Sequence, residues 1–355
     1  MLKGNDFQQS NGLFVRVDWL SFTILDTTLP NYIISMLGYS FNDFRECPRG
    51  LHGYRKQLRH IIYPISIQYD GLEGMFVHVD ISGSAIHDVI EHFQKKHSSS
   101  TPFGTTAYET TSFTSTVFAD LLKEICSRCR ITRLDLAVDD MTNSYYTMPE
   151  LYTIFSSGSY ISKFRKWKNY IEYGDENCCA GHTIYFGSRE SGVYLRIYDK
   201  QLEQNKKLIS NGELPIMHPW IRWEIELKQE RAEVAANLII QGRSINEVTI
   251  GILSNYLRII QLDNNRKYRC STSPKWEAFL DNISKVSLYS ASKPKTMEDT
   301  KRWLMRQVAS SLAAVVVADE GDLSFIQSLV DSGSRRFSMR HINMIESSLA
   351  LEGCT

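Results

Sequence analysis

The sequence predicts an α+β protein: a largely antiparallel sheet with one polar face, duplicated βαβββα-like units, and a helical C-terminal region. Three observations lead there. First, segments 130–140, 193–199 and 220–228 alternate strictly, apolar on one side and charged on the other. Thr132, Leu134, Leu136 and Val138 oppose Arg133, Asp135 and Asp139, and Trp223, Ile225 and Leu227 oppose Arg222, Glu224, Glu226 and Lys228. A two-residue period sends neighbouring side chains to opposite faces of a strand. Second, the order strand, helix, several strands, helix occurs twice, which suggests a duplication about a pseudo-twofold axis. Third, apolar spacing beyond residue 246 is helical. The expected organisation is a tail at 1–16, α+β units at 17–130 and 131–245, and a helical region at 246–355.

Taken in order, residues 17–24 read as a strand and an apolar helix follows Pro30. Strands are expected at 50–57, 63–69 and 74–81, with Asp70-Gly71 as a tight turn. Ile86, Val89, Ile90 and Phe93 give a helix over 84–96. Residues 98–102 read as a loop, and 115–128 as a linking helix. The second unit runs from the Asp135 strand through a helix at 148–155. Strands follow at 164–170, 182–186, 193–199 and 220–228, and a helix at 231–241. Beyond it, Ile250, Leu253, Leu257 and Ile260 line one helix face. Thr296 and Asp299 form a capping-box pattern before a helix holding Trp303, Leu304, Val308, Leu312 and Val315. Shorter helices follow Asp322 and Met339.

The chain has 355 residues, 40 basic and 40 acidic side chains, and a formal net charge of zero. A balanced charge argues against indiscriminate nucleic-acid binding and leaves site-specific binding to local basic clusters. Arg45, Arg49, Arg55, Lys56 and Arg59 crowd one segment. Lys163, Arg165, Lys166 and Lys168 interleave with Phe164, Trp167 and Tyr170, a pattern suited to phosphate contacts with base stacking, or to an edge strand protected by lysines. No apolar run reaches membrane-spanning length, and the N-terminus lacks a signal-peptide core, so a cytoplasmic protein is expected. Seven scattered cysteines fit reduced thiols, including the lone pair Cys126 and Cys129. No GxxxxGK[ST] loop occurs, which argues against a nucleotide-driven motor in this sequence. No His-hydrophobic-His metal motif occurs either. His78 and Asp80 share a strand face and read as structural or DNA-contacting.

Residues 185–200 read as a β-hairpin that places Tyr198 beside Arg196 and Lys200. Nearby cations lower a tyrosine pKa and favour the nucleophilic phenolate. If the three alternating strands are neighbours, Asp135, Glu224 and Glu226 meet that tyrosine on one face, as hard oxygen donors for Mg²⁺ or Mn²⁺. Cross-strand ion pairs on a solvated face would give the same alternation.

These blocks resemble those of the Rep_trans replication initiators: Arg133-Leu-Asp-Leu-Ala-Val-Asp139, the turn 185–192, Arg196-Ile-Tyr-Asp-Lys200 and Arg222-Trp-Glu-Ile-Glu-Leu-Lys228. Residues 17–23, 79–83 and 301–309 fit the broader pattern. The resemblance implies a rolling-circle initiator that nicks and rejoins origin DNA through a 5′-phosphotyrosine. Tyr198 would be the nucleophile, and Asp135 with Glu224 or Glu226 would hold Mg²⁺ or Mn²⁺. Single-stranded or hairpin origin DNA, a host helicase and a host polymerase are the implied partners in a bacterial cytoplasm, and a homodimer is compatible. A relaxase of a conjugative element, a non-catalytic origin-binding regulator and a metal-dependent nuclease are the competing readings. Lys163, Arg165, Lys166, Trp167 and Lys168 would guide DNA toward the hairpin.

Overall fold

A computed structural model describes residues 7–8, 12–24, 29–97, 110–174, 177–281, 283–289 and 296–352. The chain forms two compact units, Met1–Ser290 and Ala291–Thr355. In the first, β1 (Phe7–Gln8) pairs with β2 (Phe14–Ile24), followed by α1 (Pro30–Met36), β3 (Phe44–Cys47), β4 (Lys56–His60), β5 (Ile65–Tyr69), β6 (His78–Ser82) and α2 (Ala85–His97). After α3 (Thr110–Arg128) come β7 (Cys129–Asp140), α4 (Met148–Ser156), β8 (Tyr160–Ser162), β9 (Trp167–Tyr173), β10 (Cys179–Phe186) and β11 (Val193–Asp199). The unit closes with α5 (Lys200–Ser210), β12 (Ile221–Lys228), α6 (Glu230–Ile240), α7 (Ile245–Tyr256), β13 (Leu257–Ile259) and α8 (Pro274–Leu280).

One sheet carries both halves, in the order β3-β4-β5-β6-β2-β7-β12-β11-β10-β9. The opening strands β2 and β7 pair antiparallel at its centre. Outward from β2 run β6, β5, β4 and β3; outward from β7 run β12, β11, β10 and β9. Connectivity is therefore the same on both sides of the β2–β7 seam. The apolar face is closed by helices. Leu134, Leu136, Val138, Trp223, Ile225 and Leu227 are all buried, and α3, α6 and α7 pack on this side against β7. Trp223 stacks into a ring cluster with Trp276 and Phe279 of α8, at centroid distances of 5.6 and 5.1 Å. Local signals fix the helix starts: Thr147 and Glu150 form a capping box on α4, and Ser244 and Glu247 do so on α7. Gly187, at φ 91°, makes the turn after β10, where a Cβ would lie 3.0 Å from Phe164.

Several elements differ from the sequence reading. The first half has four strands after its helix, since β3 is a separate strand and the strand expected at 50–57 begins only at Lys56. Helix α5 lies between β11 and β12, capped by Asp199, whose side chain accepts from the Leu202 N–H. Leu257 and Ile260 do not continue α7. The chain turns extended at Leu257 and pairs with β8 in a small second sheet. The loop expected at 98–102 lies outside the described residues.

In the second unit, α9 (Met297–Gln307) starts on the expected Thr296–Asp299 box. The single helix read through Val315 is two, because the backbone at Val308 leaves the helix before α10 (Ala309–Ala318). Helices α11 (Ser324–Ser334) and α12 (Met339–Glu352) follow. The Thr300 hydroxyl of α9 donates to the Met344 thioether of α12 at 3.4 Å.

Candidate active site on the polar sheet face

Antiparallel register sorts the polar face of the second half into rows, because directly opposite residues share a side. One row reads Asp139, Arg222, Tyr198, Thr183, Tyr170 across β7, β12, β11, β10 and β9. The next reads Ala137, Glu224, Arg196, Tyr185, Lys168. The third holds Trp19, Asp135, Glu226 and Tyr194. Asp135, Glu224, Glu226, Arg196 and Tyr198 thus meet on one face, and Lys200 begins α5 just beyond. A cleft of about 1190 Å³ opens there, lined by Tyr198, Arg196, Glu224, Lys200, Arg222 and Trp19 among others.

The Tyr198 hydroxyl donates to Glu224 Oε2 at 3.1 Å. The sequence reading placed its phenolate among free cations, and the structure corrects this. Arg196 is paired with Glu224, and Lys200 with Glu203. Their charges sit beside the ring, 6.0 and 5.4 Å from its centroid, but are already engaged by carboxylates. Burial raises the Tyr198 pKa, and Glu224, Asp18 and Glu203 add to that against the pull of Arg222. The phenol is therefore protonated, with a carboxylate positioned to take its proton.

Asp135 and Glu224 are each 1% exposed and Glu226 is 8% exposed. Arg133 forks onto Asp135 at 2.9 and 2.6 Å and reaches Glu226 at 3.1 Å, while Lys228 holds the other Glu226 oxygen at 2.6 Å. Burial pushes the Asp135 carboxyl up to about 7; Arg133 opposes this, and Glu224 and Glu226 reinforce it. The three buried carboxylates are oxygen donors of the kind that suits a hard divalent cation, once the cations now paired to them give way. Among the described residues, no three acidic, histidine or cysteine side chains are grouped to hold one ion as they stand. Arg133, Arg196 and Lys228 occupy the oxygens instead.

Residues the sequence reading gave no role complete the site. Arg222, 3% exposed, forks onto Asp139 at 2.7 and 2.9 Å and reaches Asp18 at 2.6 Å. Arg16 joins Asp139 at 2.7 Å. Asp139, fully buried, keeps its carboxyl below the usual range: burial alone would raise it, and Arg222 and Arg16 more than offset that. This network anchors the strand position opposite Tyr198. Tyr194, the other tyrosine on the polar face of β11, is 6% exposed and stacks on Tyr185 at 5.8 Å.

The basic-aromatic segment divides between two faces. Lys163, Arg165, Lys166 and Lys168 are exposed. Lys163 donates to Asn255 at 2.6 Å, and Lys168 lies on the Arg196 row of the polar face. Trp167 points to the apolar side, its ring 6.3 Å from Phe186 and 6.1 Å from Phe155. In the first half, His78 Nε2 lies 3.3 Å from Asp80 and its Nδ1 2.8 Å from the Thr23 hydroxyl. The six cysteines within the described residues are free thiols. No helix among the described residues is long and apolar enough to cross a membrane.

Comparison with known proteins places the chain in a family. Residues 129–330 match the sequence model of Rep_trans, described as replication initiation factor. The chain is 33% identical over 192 residues to a Bacillus subtilis (strain 168) protein bearing the name DNA relaxase NicK, covering 53% of each chain. It is 27% identical over 187 residues to a replication initiation protein of Staphylococcus aureus, covering 50% of this chain and 52% of the relative. The chain thus spans about half the length of these curated relatives. A rolling circle replication initiator from Geobacillus stearothermophilus shares the fold, with a TM-score of 0.61 and 24% identity, over 79% of this chain and 100% of that one.

Proposed function

The chain belongs to the Rep_trans family of replication initiation factors, and from that premise we propose that it nicks and rejoins single-stranded origin DNA through a 5′-phosphotyrosine on Tyr198. The observation that carries the reading is the Tyr198 hydroxyl held 3.1 Å from Glu224 in an open cleft beside two further buried carboxylates. Tyr198 Oη attacks the scissile phosphorus and its proton passes to the Glu224 carboxylate. The bond from phosphorus to the 3′-oxygen breaks, and that oxygen takes a proton from water. Arg196 and Lys200, beside the ring, offset charge on the phosphoryl oxygens once DNA displaces part of their pairing to Glu224 and Glu203. Asp135 with Glu224 or Glu226 would hold Mg²⁺ or Mn²⁺, which supplies Lewis-acid polarisation of the phosphate. Arg133, Arg196 and Lys228 must release carboxylate oxygens for that to happen.

A phosphotyrosine conserves the phosphodiester's free energy, so rejoining needs no nucleotide triphosphate. The freed 3′-hydroxyl suits a host polymerase, and strand separation would come from a host helicase. The same chemistry serves a relaxase, which the likeness to NicK favours over its weaker likeness to the staphylococcal initiator. Incubating the protein with 5′- and 3′-labelled single-stranded oligonucleotide and resolving the products on a denaturing gel tests the reading. A covalently shifted 3′-fragment supports it. A free 5′-phosphate would mean a water-using nuclease, and no cleavage under any divalent cation would mean a binding protein only.

A further inference from the structure

We propose that the polar face of the first half, from β3 to β6, is a track for a single-stranded DNA backbone that leads into the catalytic rows. This deepens the nicking reading above and rests on it. The track is written in the register. Arg45 stands opposite Arg59, Arg59 opposite Ser66, and Ser66 opposite Asp80. Asp80 stands opposite Ser21, and Ser21 opposite Arg133. These six positions form one line across six strands, about 24 Å at the usual strand spacing. Its inner end, Arg133, is the arginine that holds Asp135 and Glu226.

The outer end places two like charges opposite each other on exposed strands. Like charges directly opposite each other destabilise a sheet. Arg45 and Arg59 are exposed, and neither has a carboxylate partner among the described residues. The adjacent Glu46 offers no relief. It stands opposite Leu58 on the other side of the sheet, and Tyr69 and Lys56 engage it. An anion between the two guanidiniums removes the repulsion. The one acid on the line, Asp80, is turned inward to the Ser21 hydroxyl at 2.6 Å and to His78 at 3.3 Å.

The neighbouring row walls the line on one side. Gln57 and Gln68 are buried, and the Leu51 N–H donates to Gln68 at 2.9 Å, so residues near Leu51 fold over that row. A one-residue lane beside a wall suits one phosphodiester backbone rather than the two of a duplex. At the inner end Trp19, opposite both Asp135 and Ser82, lines the cleft and has the Arg133 guanidinium 4.3 Å from its ring.

The test uses the full chain and its Arg45→Gln/Arg59→Gln variant with thymidylate oligomers of about 8 and about 16 nucleotides, spanning known single-strand site sizes. Binding is measured across a salt series, and covalent adduct formation is measured on the cleavable oligonucleotide. The expected variant keeps its adduct chemistry at saturating DNA, loses affinity chiefly for the longer oligomer, and shows a salt slope smaller by about 1.4 for two lost contacts. Its melting temperature stays level or rises, and Arg45→Lys/Arg59→Lys retains the slope. Unchanged affinity and slope at both lengths would overturn the track. So would a larger loss on duplex than on single strand, or a fall in melting temperature that accounts for the binding loss. If wild type forms no adduct at all, the nicking reading fails while the length-dependent binding result still judges the track.

Discussion

The two halves of the central sheet share connectivity and differ in what their polar faces carry. In the second half, β11 and β12 present Arg196, Tyr198, Arg222, Glu224 and Glu226. The strands in the corresponding places, β5 and β6, present Ser66, Gln68, His78 and Asp80. The fold supplies the same platform twice, and a tyrosine with buried carboxylates occupies it once. Position in the sheet is thus a scaffold property, whereas the proposed chemistry resides in a few outward-facing residues of three strands.

The sharpest way to break this contrast is to remove the nucleophile. Tyr198→Phe should lower covalent adduct formation by at least about 10³-fold. It should cost only about 1 kcal/mol of stability, from the lost hydrogen bond to Glu224. Adduct gels and denaturant melts on the same preparation check both. An adduct that survives in Tyr198→Phe and disappears in Tyr194→Phe would move the nucleophile two rows along β11, to a residue now stacked on Tyr185.

Next in size are the carboxylates. Asp135→Asn and Glu224→Gln should each slow cleavage by about 10²- to 10⁴-fold, the range for losing a proton acceptor or a Lewis-acid site. Chelation of divalent ions should abolish wild-type cleavage, and Mg²⁺ or Mn²⁺ should restore it. Isothermal titration should show tighter Mn²⁺ binding to wild type than to Asp135→Asn. Full cleavage by wild type in excess chelator would reduce Asp135 and Glu226 to ion-pair partners of Arg133 and Lys228, and leave Glu224 as proton acceptor alone.

Stability offers a third comparison, between the charge pairs of the two halves. Asp139 is fully buried between Arg222 and Arg16, so Asp139→Asn should cost about 3 to 5 kcal/mol at neutral pH. The sign with pH follows from its depressed folded-state pKa. The contribution is complete above the unfolded aspartate value of about 3.9 and is lost as pH falls through the lower folded value. The gap between wild type and variant should therefore close only below about pH 4. His78→Gln, which breaks a partly exposed pair with Asp80, should cost about 1 kcal/mol or less. Urea melts at several pH values decide it, and equal costs in the two halves would erase the contrast.

Much of the site was legible because its strands are long and strictly alternating. A period of two over Arg133–Asp139 and Arg222–Lys228 assigns faces without any knowledge of neighbours. What the sequence hides is partnership. Arg222 finds Asp139 83 positions away and Asp18 204 positions away, and only the paired register brings them together. The same blindness made Arg196 and Lys200 look like free activators of Tyr198, when Glu224 and Glu203 had already claimed them. Among the elements, β3 was missed because four residues, Phe-Arg-Glu-Cys, are too short to display alternation. Leu257 and Ile260 fitted a helical stripe by spacing alone, although pairing with β8 pulls that segment extended.

The smallest expected effects lie at the far edge of the second half, on β9 and the turn before it. Lys163, Arg165, Lys166 and Lys168 are exposed, but only Lys168 stands on the row of Arg196 and Glu224. If DNA crosses the polar face, Lys168→Gln alone should reduce the log–log salt slope of single-strand binding by about 0.7, and changing the other three should add little. Trp167 lies on the opposite side, packed on Phe186 and Phe155, so Trp167→Ala should act through stability, by about 2 to 4 kcal/mol, and affect single-strand and duplex affinity alike. Salt-series binding on the single and triple variants, with melts of Trp167→Ala, separates the faces. A triple variant of Lys163, Arg165 and Lys166 that loses more slope than Lys168→Gln would mean that DNA leaves the cleft around the sheet edge, and not across the face on which Tyr198 stands.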